Sequence, residues 1–270
     1  MKKTAGRMLT YAILIIISFF SLFPIYWMFI SSVKGSSEIL GYGLFAKNPT
    51  FRNYIDAFTT VPLLRMLGNS AFIAVATTAM NLFAAVLFAY AFMRWDFKGK
   101  SFIYGLLSVT WLIPVQVIMV PNYLEIIHMG LNNTLIAMVL PNMFSVFANI
   151  TMYQSFNSMP RALIDAARMD GSSELQILFN IVLPNMRSSV ASLCIITMIN
   201  AWNNYLWPSL IARTKEMMPI TIGLKSFIGT DSYMWGASMA ASAIATIPML
   251  IVYIVMNRQI MSSFMKGGIK

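Results

Sequence analysis

The sequence predicts an all-α membrane protein with six transmembrane helices, and three observations support that fold class. Of its 270 residues, 58% are hydrophobic and only 10% are charged, whereas soluble globular domains carry roughly 25% charged residues. Six stretches contain no Asp, Glu, Lys or Arg, and each is long enough to cross a bilayer as a helix. These stretches also lack the strict alternation that is typical of membrane barrel strands.

The six charge-free stretches define the expected spans in chain order. They are Met8–Val33, Met66–Met93, Ser101–Leu124, Ile126–Pro160, Ser188–Ala212 and Ser232–Asn257. The fourth is too long for one span, and its polar start predicts a loop before a helix from about Leu135 to Gln154. Proline inside or near a span predicts a kink, and this applies to Pro114, Pro121, Pro141 and Pro248.

The basic residues predict the orientation of these spans, because Lys and Arg are retained on the cytoplasmic side. Twelve of them fall at the two termini and in the loops after the second and fourth spans, against seven on the other side. We therefore expect both termini in the cytoplasm. The formal net charge of +10 is then a signal of membrane topology rather than of nucleic-acid binding.

The spans contain none of the groups that intramembrane catalysis or ion coupling requires. Charged side chains in hydrocarbon mark such sites, and the spans have none. His128 is the only histidine and Cys194 the only cysteine, which argues against a zinc site. Gly99-Lys100-Ser101 resembles the end of a phosphate-binding loop, but Arg94 occupies the position of its first glycine. We expect no catalytic residues, no metal and no nucleotide bound by this chain.

The cytoplasmic loop from Ser158 to Arg187 has the signals of two short helices. Pro160 is suited to the first position of one helix, and Gly171 to a left-handed cap at its end. Ser173 and Gln176 form a capping box for the second helix, which Pro184 is expected to end. On the first helix, Arg161, Asp165 and Arg168 share one face, and an apolar face contains Leu163, Ala166 and Ala167. Composition alone leaves two interpretations open, docking in a groove of a partner or lying on the bilayer surface.

A motif in this loop resembles a known family. Asp165-Ala166-Ala167, three residues, Gly171, nine residues and then Ile181-x-Leu183-Pro184 match the EAA loop of ABC importer permeases, with Asp165 in place of glutamate. Further segments are similar to the second permease subunit of carbohydrate importers of the maltose and glycerol-phosphate type. These are Asn69-Ser70, Ala89-Tyr90-Ala91-Phe92, Ile113-Pro114, Trp202-Asn203-Asn204-Tyr205-Leu206-Trp207-Pro208 and Phe264-Met265-Lys266-Gly267.

The resemblance implies a type I ABC importer permease fold and an assembly in a bacterial inner membrane. The partners would be a homologous second permease, two ATPase subunits that bind ATP and Mg²⁺, and an extracytoplasmic sugar-binding protein. It also implies three regions. They are residues 1–65 with the N-terminal tail, first span and an outer loop; residues 66–258 as the permease domain, with its EAA loop at 158–187; and a cytoplasmic tail at 259–270.

The resemblance also assigns roles to residues of the loop. In this family the EAA helix is the coupling helix that contacts the ATPase subunit. The residues expected to make that contact are Asp165, Ala166, Ala167, Arg168, Asp170 and Gly171. The expected function is transport of a carbohydrate by alternating access. An importer for another solute, such as an amino acid or phosphate, stays open as an alternative, and so does a non-transport intramembrane protein.

A cluster of amide and aromatic residues at the end of the fifth span is the candidate solute path. Amides hydrogen-bond to sugar hydroxyl groups, and aromatic rings stack on the C–H surfaces of sugars. The residues are Asn200, Trp202, Asn203, Asn204 and Tyr205. An aromatic belt at the membrane interface, with amides bonded between helices, is the alternative. In the sixth span, Ala237, Ala241 and Ala245 predict close helix packing, either within the chain or against the partner permease.

Overall fold

A computed structural model describes residues 2–228 and 234–267, and the side chains of residues 6–228 and 234–257. The α-helices within these residues are, in chain order, α1 Lys2–Ser32, α2 Arg52–Thr60, α3 Leu63–Arg94, α4 Lys100–Thr110, α5 Val115–His128, α6 Leu135–Val139, α7 Val146–Asn157, α8 Arg161–Met169, α9 Glu174–Ile177, α10 Leu183–Asn185, α11 Arg187–Asn203, α12 Leu206–Ile211, α13 Ile220–Gly223 and α14 Trp235–Gly267. Two 3₁₀ segments, Leu140–Asn142 and Leu224–Phe227, and a π-helical segment, Leu178–Val182, complete the helical structure.

Three helices of the described part are each long and apolar enough to cross a membrane unbroken. They lie at Gly6–Ser32, Leu63–Arg94 and Trp235–Asn257, within α1, α3 and α14. Between α3 and α14, three bent pairs of helices pass the same test together, and counting each pair as one span gives up to six; the third pair joins the loop segment Glu174–Asn185 to Arg187–Ile211. Ser232, where the sixth predicted stretch begins, lies outside the described residues, as do the side chains of Lys2, Lys3, Arg258, Lys266 and Lys270.

The bent pairs break where the sequence interrupts the helical hydrogen-bond ladder. α4 and α5 meet at 94°, with Pro114 immediately before α5. The pair formed by α6 and α7 bends by 49°, at a 3₁₀ turn that contains Pro141. Proline lacks the amide hydrogen of a helical bond, which accounts for both interruptions. Pro121 and Pro248 instead lie inside α5 and α14.

The second loop helix extends further than expected. A π-helical segment follows α9, and helical backbone runs through Pro184 to Asn185 before breaking at Met186. Pro184 comes two residues after the π-helical segment, an irregularity in the ladder of helical hydrogen bonds. The loop segment Glu174–Asn185 then meets the fifth span at an angle of 79°.

The chain divides into two compact units. The first comprises Met1–Arg65 and Gly223–Pro248, and the second comprises Met66–Ile222 and Met249–Lys270. In the first unit, the small residues of α14 are buried, including Ala237, Ala240 and Ala241. Their burial within this chain favours internal packing over contact with a partner permease.

The second unit has two apolar clusters. One joins the C-terminal end of α3 to α7, α8, α9 and α11, through residues such as Met93, Phe156 and Ile164. The other contains Ile73, Met138 and Trp207. Trp207 also donates a hydrogen bond from Nε1 to the carbonyl oxygen of Ala137, at 3.0 Å. This buried tryptophan therefore packs inside the unit and is not part of an interfacial belt.

Candidate functional site

The loop between the fourth and fifth spans forms a short helix with a defined end. Pro160 is the N-cap of α8, one residue before the position expected from the sequence. At the other end, Gly171 has a φ of +81°, its amide donates to the carbonyl of Arg168, and the amide of Ser172 donates to the carbonyl of Ala167. This pair of bonds is a Schellman motif, in which a left-handed glycine satisfies the last carbonyls of the helix.

The capping box predicted for the second helix of the loop is present. The Ser173 hydroxyl accepts from the Gln176 amide at 3.4 Å, and the Gln176 side chain accepts from the Ser173 amide at 2.8 Å. The amides of Gly171, Ser172, Ser173 and Gln176 therefore all donate hydrogen bonds within the turn between α8 and α9. The short turn therefore fixes the direction of α9 relative to α8.

The two faces of α8 differ from the expected pattern. Ile164 and Ala167 are buried in the apolar cluster, whereas Leu163 and Ala166 are exposed. Asp165 and Asp170 are also exposed, so the outer surface of α8 combines carboxylates with small and apolar side chains. Among the described residues, Asp165 has no ion-pair partner, and it lines a cavity of about 120 Å³ with Met93, Arg94, Arg161, Ile164 and Arg168.

Arg168 points toward the protein rather than away from it. Its Nη2 lies 2.8 Å from Oε1 of Glu174, and the same carboxylate accepts from Nε of Arg94 at 3.1 Å and from the Tyr90 hydroxyl at 2.6 Å. This cluster was not predicted from the sequence. Glu174 gave one signal, an acidic residue in the first turn of a helix, but nothing in the sequence pairs it with residues 80 positions earlier.

A neighbouring carboxylate on the same side is exposed. Lys100 donates to Asp96 at 2.7 Å, and this hydrogen bond lowers the pKa of Asp96 below its usual value. Nη1 of Arg161 lies 3.8 Å from the other oxygen of Asp96. Both partners of this second contact are mostly solvent-accessible, so it contributes little to the position of α8.

A second candidate site is a polar cavity of about 170 Å³ in the second unit. Its walls come from α3, from the break between α6 and α7, and from the end of α11. The lining residues are Ile73, Thr77, Asn81, Met138, Asn142, Ser145, Phe147, Thr197, Asn200, Ala201 and Asn204. Every one of them is uncharged, and most carry an amide or a hydroxyl group.

The structure brings two of the five predicted path residues to this cavity. Asn200 and Asn204 line it, one helical turn apart, and neither side-chain amide has a hydrogen-bond partner among the described residues. Asn203 is exposed away from it, Trp202 is buried in packing, and Tyr205 also lies outside its lining. α11 ends at Asn203 with Asn204 as its C-cap, and the next helix begins at Leu206, so the helical spacing that brings Asn200 and Asn204 to the cavity does not extend to Tyr205.

The part of the cavity wall that α3 provides was not predicted from the sequence. Asn81 donates from Nδ2 to the carbonyl oxygens of Thr77, at 2.9 Å, and of Asn142, at 2.7 Å. These bonds hold α3 against the helix break of the fourth span. Asn81 is a polar residue in an otherwise apolar span, and such residues commonly bond between helices. That signal was present in the sequence, but its partner at Asn142 is 61 positions away.

Comparisons with known proteins agree with these features. Residues 81–264 match the family model described as binding-protein-dependent transport system inner membrane component. The lactose transport system permease protein LacG of Rhizobium radiobacter is 32% identical over 270 residues, covering 100% of this chain and 98% of that protein. The arabinooligosaccharides transport system permease protein AraQ of Halalkalibacterium halodurans is 30% identical over 278 residues, covering 100% of both.

A solved structure gives the same fold. A chain of a bacterial ABC transporter involved in the import of the acidic polysaccharide alginate matches with a TM-score of 0.82 and 22% identity, covering 95% of this chain and 97% of that one. The type I ABC importer permease fold expected from the EAA spacing is confirmed, and so is the resemblance to carbohydrate permeases. The chain therefore belongs to the family of binding-protein-dependent transport system inner membrane components.

Proposed function

We propose that this chain is one of two permease subunits of an ATP-driven importer and that its solute is a carbohydrate. One observation carries the proposal. Over its full length the chain is similar to permeases named for lactose and for arabinooligosaccharide transport. The loop between the fourth and fifth spans supports the proposal that transport is driven by ATP, since its capped helix α8 is suited to contact an ATPase subunit.

In this scheme the outer surface of α8 contacts an ATPase subunit. Asp165, Ala166 and Asp170 are exposed for direct contact, whereas Ala167, Arg168 and Gly171 hold the shape and position of the helix. ATP and Mg²⁺ bind to the two partner ATPase subunits, which supply the hydrolysis. In this chain, α8 would move as a rigid body when the ATPase subunit moves, because the backbone groups at the C-terminal end of the helix are already hydrogen-bonded.

The complete importer would contain a homologous second permease and an extracytoplasmic sugar-binding protein. Both termini of this chain would lie in the cytoplasm, in accord with the excess of basic residues on that side. The solute would pass between the two permeases, and Asn200 and Asn204 would face it. The break after α11 would shape the path, and this is the indirect role we assign to Trp202, Asn203 and Tyr205.

The walls of the polar cavity favour a neutral, hydroxyl-rich solute. Amide and hydroxyl groups exchange hydrogen bonds with sugars, whereas a buried carboxylate or phosphate needs a cationic partner. The cavity lining contains no cation. This is the observation that disfavours an amino acid or phosphate as the solute.

An acidic sugar is the second candidate, because the outer loops carry Arg52, Arg65, Arg213 and Lys215. Two of these already have partners in the chain. Arg52 pairs with Asp56 at 3.0 Å, and Arg213 donates to the Tyr123 hydroxyl. Arg65 and Lys215 are exposed and suit either an acidic solute or an acidic surface of the binding protein.

Reconstitution in proteoliposomes tests the proposal. The chain would be combined with the second permease, the ATPase subunit and the binding protein encoded by its neighbouring genes. We expect no ATP hydrolysis without the ATPase subunit, and stimulation by binding protein loaded with sugar. A panel of lactose, arabinooligosaccharides and alginate oligosaccharides would identify the solute. Uptake of amino acids or phosphate in place of every sugar would contradict the proposal.

A further inference from the structure

The Glu174 carboxylate connects two elements that are far apart in the chain. It accepts hydrogen bonds from Tyr90 and Arg94 at the cytoplasmic end of α3, and from Arg168 near the end of α8. Both carboxylate oxygens are used. Nε of Arg94 lies 3.1 Å from Oε1 and 3.2 Å from Oε2, and Arg168 approaches Oε1 through two nitrogens.

This cluster differs from an ordinary surface ion pair. The exposed fraction of the side chain is 23% for Arg94, 38% for Glu174 and 30% for Arg168, and Tyr90 is buried. Hydrogen bonds to a charged group are roughly twice as strong as neutral ones when water is partly excluded. Removing the one carboxylate leaves two guanidinium groups close together with nothing between them.

The position of the cluster matters because α3 has no covalent link to the loop. α7 leads into α8, and α10 leads into α11, so the fourth and fifth spans are pulled directly when α8 moves. α3 is joined to the loop by packing, through Met93 and Ile164 in the apolar cluster, and by Glu174. Apolar packing has little directional preference, whereas charge-assisted hydrogen bonds from donors on both elements to one carboxylate constrain how the two elements are oriented.

α3 also reaches the polar cavity. Its residues Ile73, Thr77 and Asn81 line that cavity, and Asn81 is bonded to the carbonyl oxygen of Asn142. A displacement of α8 that is transmitted to α3 would therefore change the cavity wall. The described contacts form a continuous route from Arg168, through Glu174 and Arg94, to Asn81.

We propose that Glu174 is a positioning residue that transmits the movement of α8 to α3 and so links ATP hydrolysis to the opening and closing of the solute path. The proposal rests on the proposed function of α8 as a coupling helix. Beyond that function, it names the residue through which movement of the cytoplasmic loop reaches α3, a span that does not adjoin the loop in the chain.

The test measures solute uptake and ATP hydrolysis in the same proteoliposomes. For Glu174→Gln we expect the number of solute molecules moved per ATP to fall about tenfold, which is within the range typical of a residue on a coupling route. Hydrolysis itself should continue. Tyr90→Phe removes one donor without changing any charge, and we expect a loss of about threefold. An unchanged ratio in either assembled variant would overturn the proposal.

Two further variants separate a positioning role from a general effect. Asp96→Asn removes a carboxylate on the same side that also contacts two cations but is exposed, and it should leave the ratio unchanged. Arg94→Gln should lower the ratio, and Glu174→Gln with Arg94→Gln should be no worse than Glu174→Gln alone, because both act through one contact. If the double variant instead lowers the number of solute molecules moved per ATP by the product of the two single effects, Glu174 and Arg94 do not act through one contact.

The outcomes also distinguish this proposal from the proposed function. If the unaltered chain moves no sugar and its assembly hydrolyses no ATP, the proposed function fails. If the unaltered assembly couples the two activities and Glu174→Gln couples them equally well, only the role of Glu174 fails. If the Glu174→Gln variant does not copurify with the ATPase subunit, the number of solute molecules moved per ATP by Tyr90→Phe tests the role of Glu174 instead.

Discussion

Gly171 occupies a backbone conformation that other residues adopt only at a cost. Its φ is +81°, and no heavy atom lies within 4 Å of the position that a Cβ would take. Strain is therefore purely conformational, about 1 kcal/mol for alanine. This strain is small compared with the free energy of unfolding of a domain. It would, however, distort the turn that orients α9 relative to α8.

We predict that Gly171→Ala lowers solute uptake per ATP, while the protein is still inserted and assembled. Gly130→Ala is a matched control, because Gly130 has a φ of +68° and closes α5 with the same two bonds, from its own amide and from that of Leu131. Both variants should lose about 1 kcal/mol of stability, measured by thermal unfolding in detergent. Equal uncoupling by both would show that the turn at Gly171 has no special role.

Asn200 offers an amide to the polar cavity with no partner in the described part of the chain. We predict that Asn200→Ala reduces sugar uptake about tenfold, since a lost hydrogen bond to a bound solute costs about 1.5 kcal/mol. ATP hydrolysis without binding protein should stay the same. Asn157→Ala removes an exposed amide at the end of α7 and should leave transport unchanged. Normal uptake by Asn200→Ala, measured with labelled sugar, would remove Asn200 from the path.

At this scale the sequence predicts local features better than long-range ones. The Gly171 cap and the capping box of Ser173 and Gln176 depend only on residues that are close together in the chain, so both could be predicted. Asn200 and Asn204 reach the cavity because helical spacing places them on one face. Asn81 and Glu174 could not be assigned, because their roles depend on partners brought together by the packing of separate helices.

Helices α2 and α14 of the first unit approach each other closely at Gly236. A Cβ at this position would lie 2.1 Å from Oδ1 of Asn53. Asn53 is held in place, since its Nδ2 donates to the carbonyl oxygens of Ser32 at 2.9 Å and Lys34 at 2.8 Å. The asparagine therefore cannot turn away without losing both bonds.

We predict that Gly236→Ala destabilises the protein by about 2 kcal/mol, the typical cost of overpacking. Asn53→Ala also destabilises it, but in that background Gly236→Ala should add little, because the clash is gone. Gly105→Ala is the control, as nothing lies within 4 Å of its Cβ position in α4. Thermal unfolding in detergent gives all four values. Simple additivity of the two changes would contradict the close approach.

The shapes of the spans could be predicted only in part. Missing charges locate every span, and Pro114 and Pro141 indicate where two of them break. Neither the 94° bend between α4 and α5 nor the continuation of helix through Pro184 follows from composition. A proline removes one hydrogen bond, but the direction of the bend depends on what packs against the two halves.

At the scale of the whole molecule, exposed apolar surface agrees with a membrane environment. The most apolar window of α1 has none of its residues buried within the chain, and α4 has no buried residue. In water such surfaces would drive aggregation. In a bilayer they face lipid, or the second permease of the proposed assembly, which leaves the orientation across the bilayer as the property still to be measured.

We predict that both termini, and the turn between α3 and α4, face the cytoplasm. The chain has one cysteine, so Cys194→Ser provides a background for thiol labelling. Lys98 and Lys47 are both exposed and lie in loops on opposite predicted sides. In right-side-out membrane vesicles, a membrane-impermeant maleimide should label Lys47→Cys and not Lys98→Cys, and detergent should make both reactive. Labelling of Lys98→Cys in intact vesicles would reverse the topology, and α8 would then lie on the side without ATP.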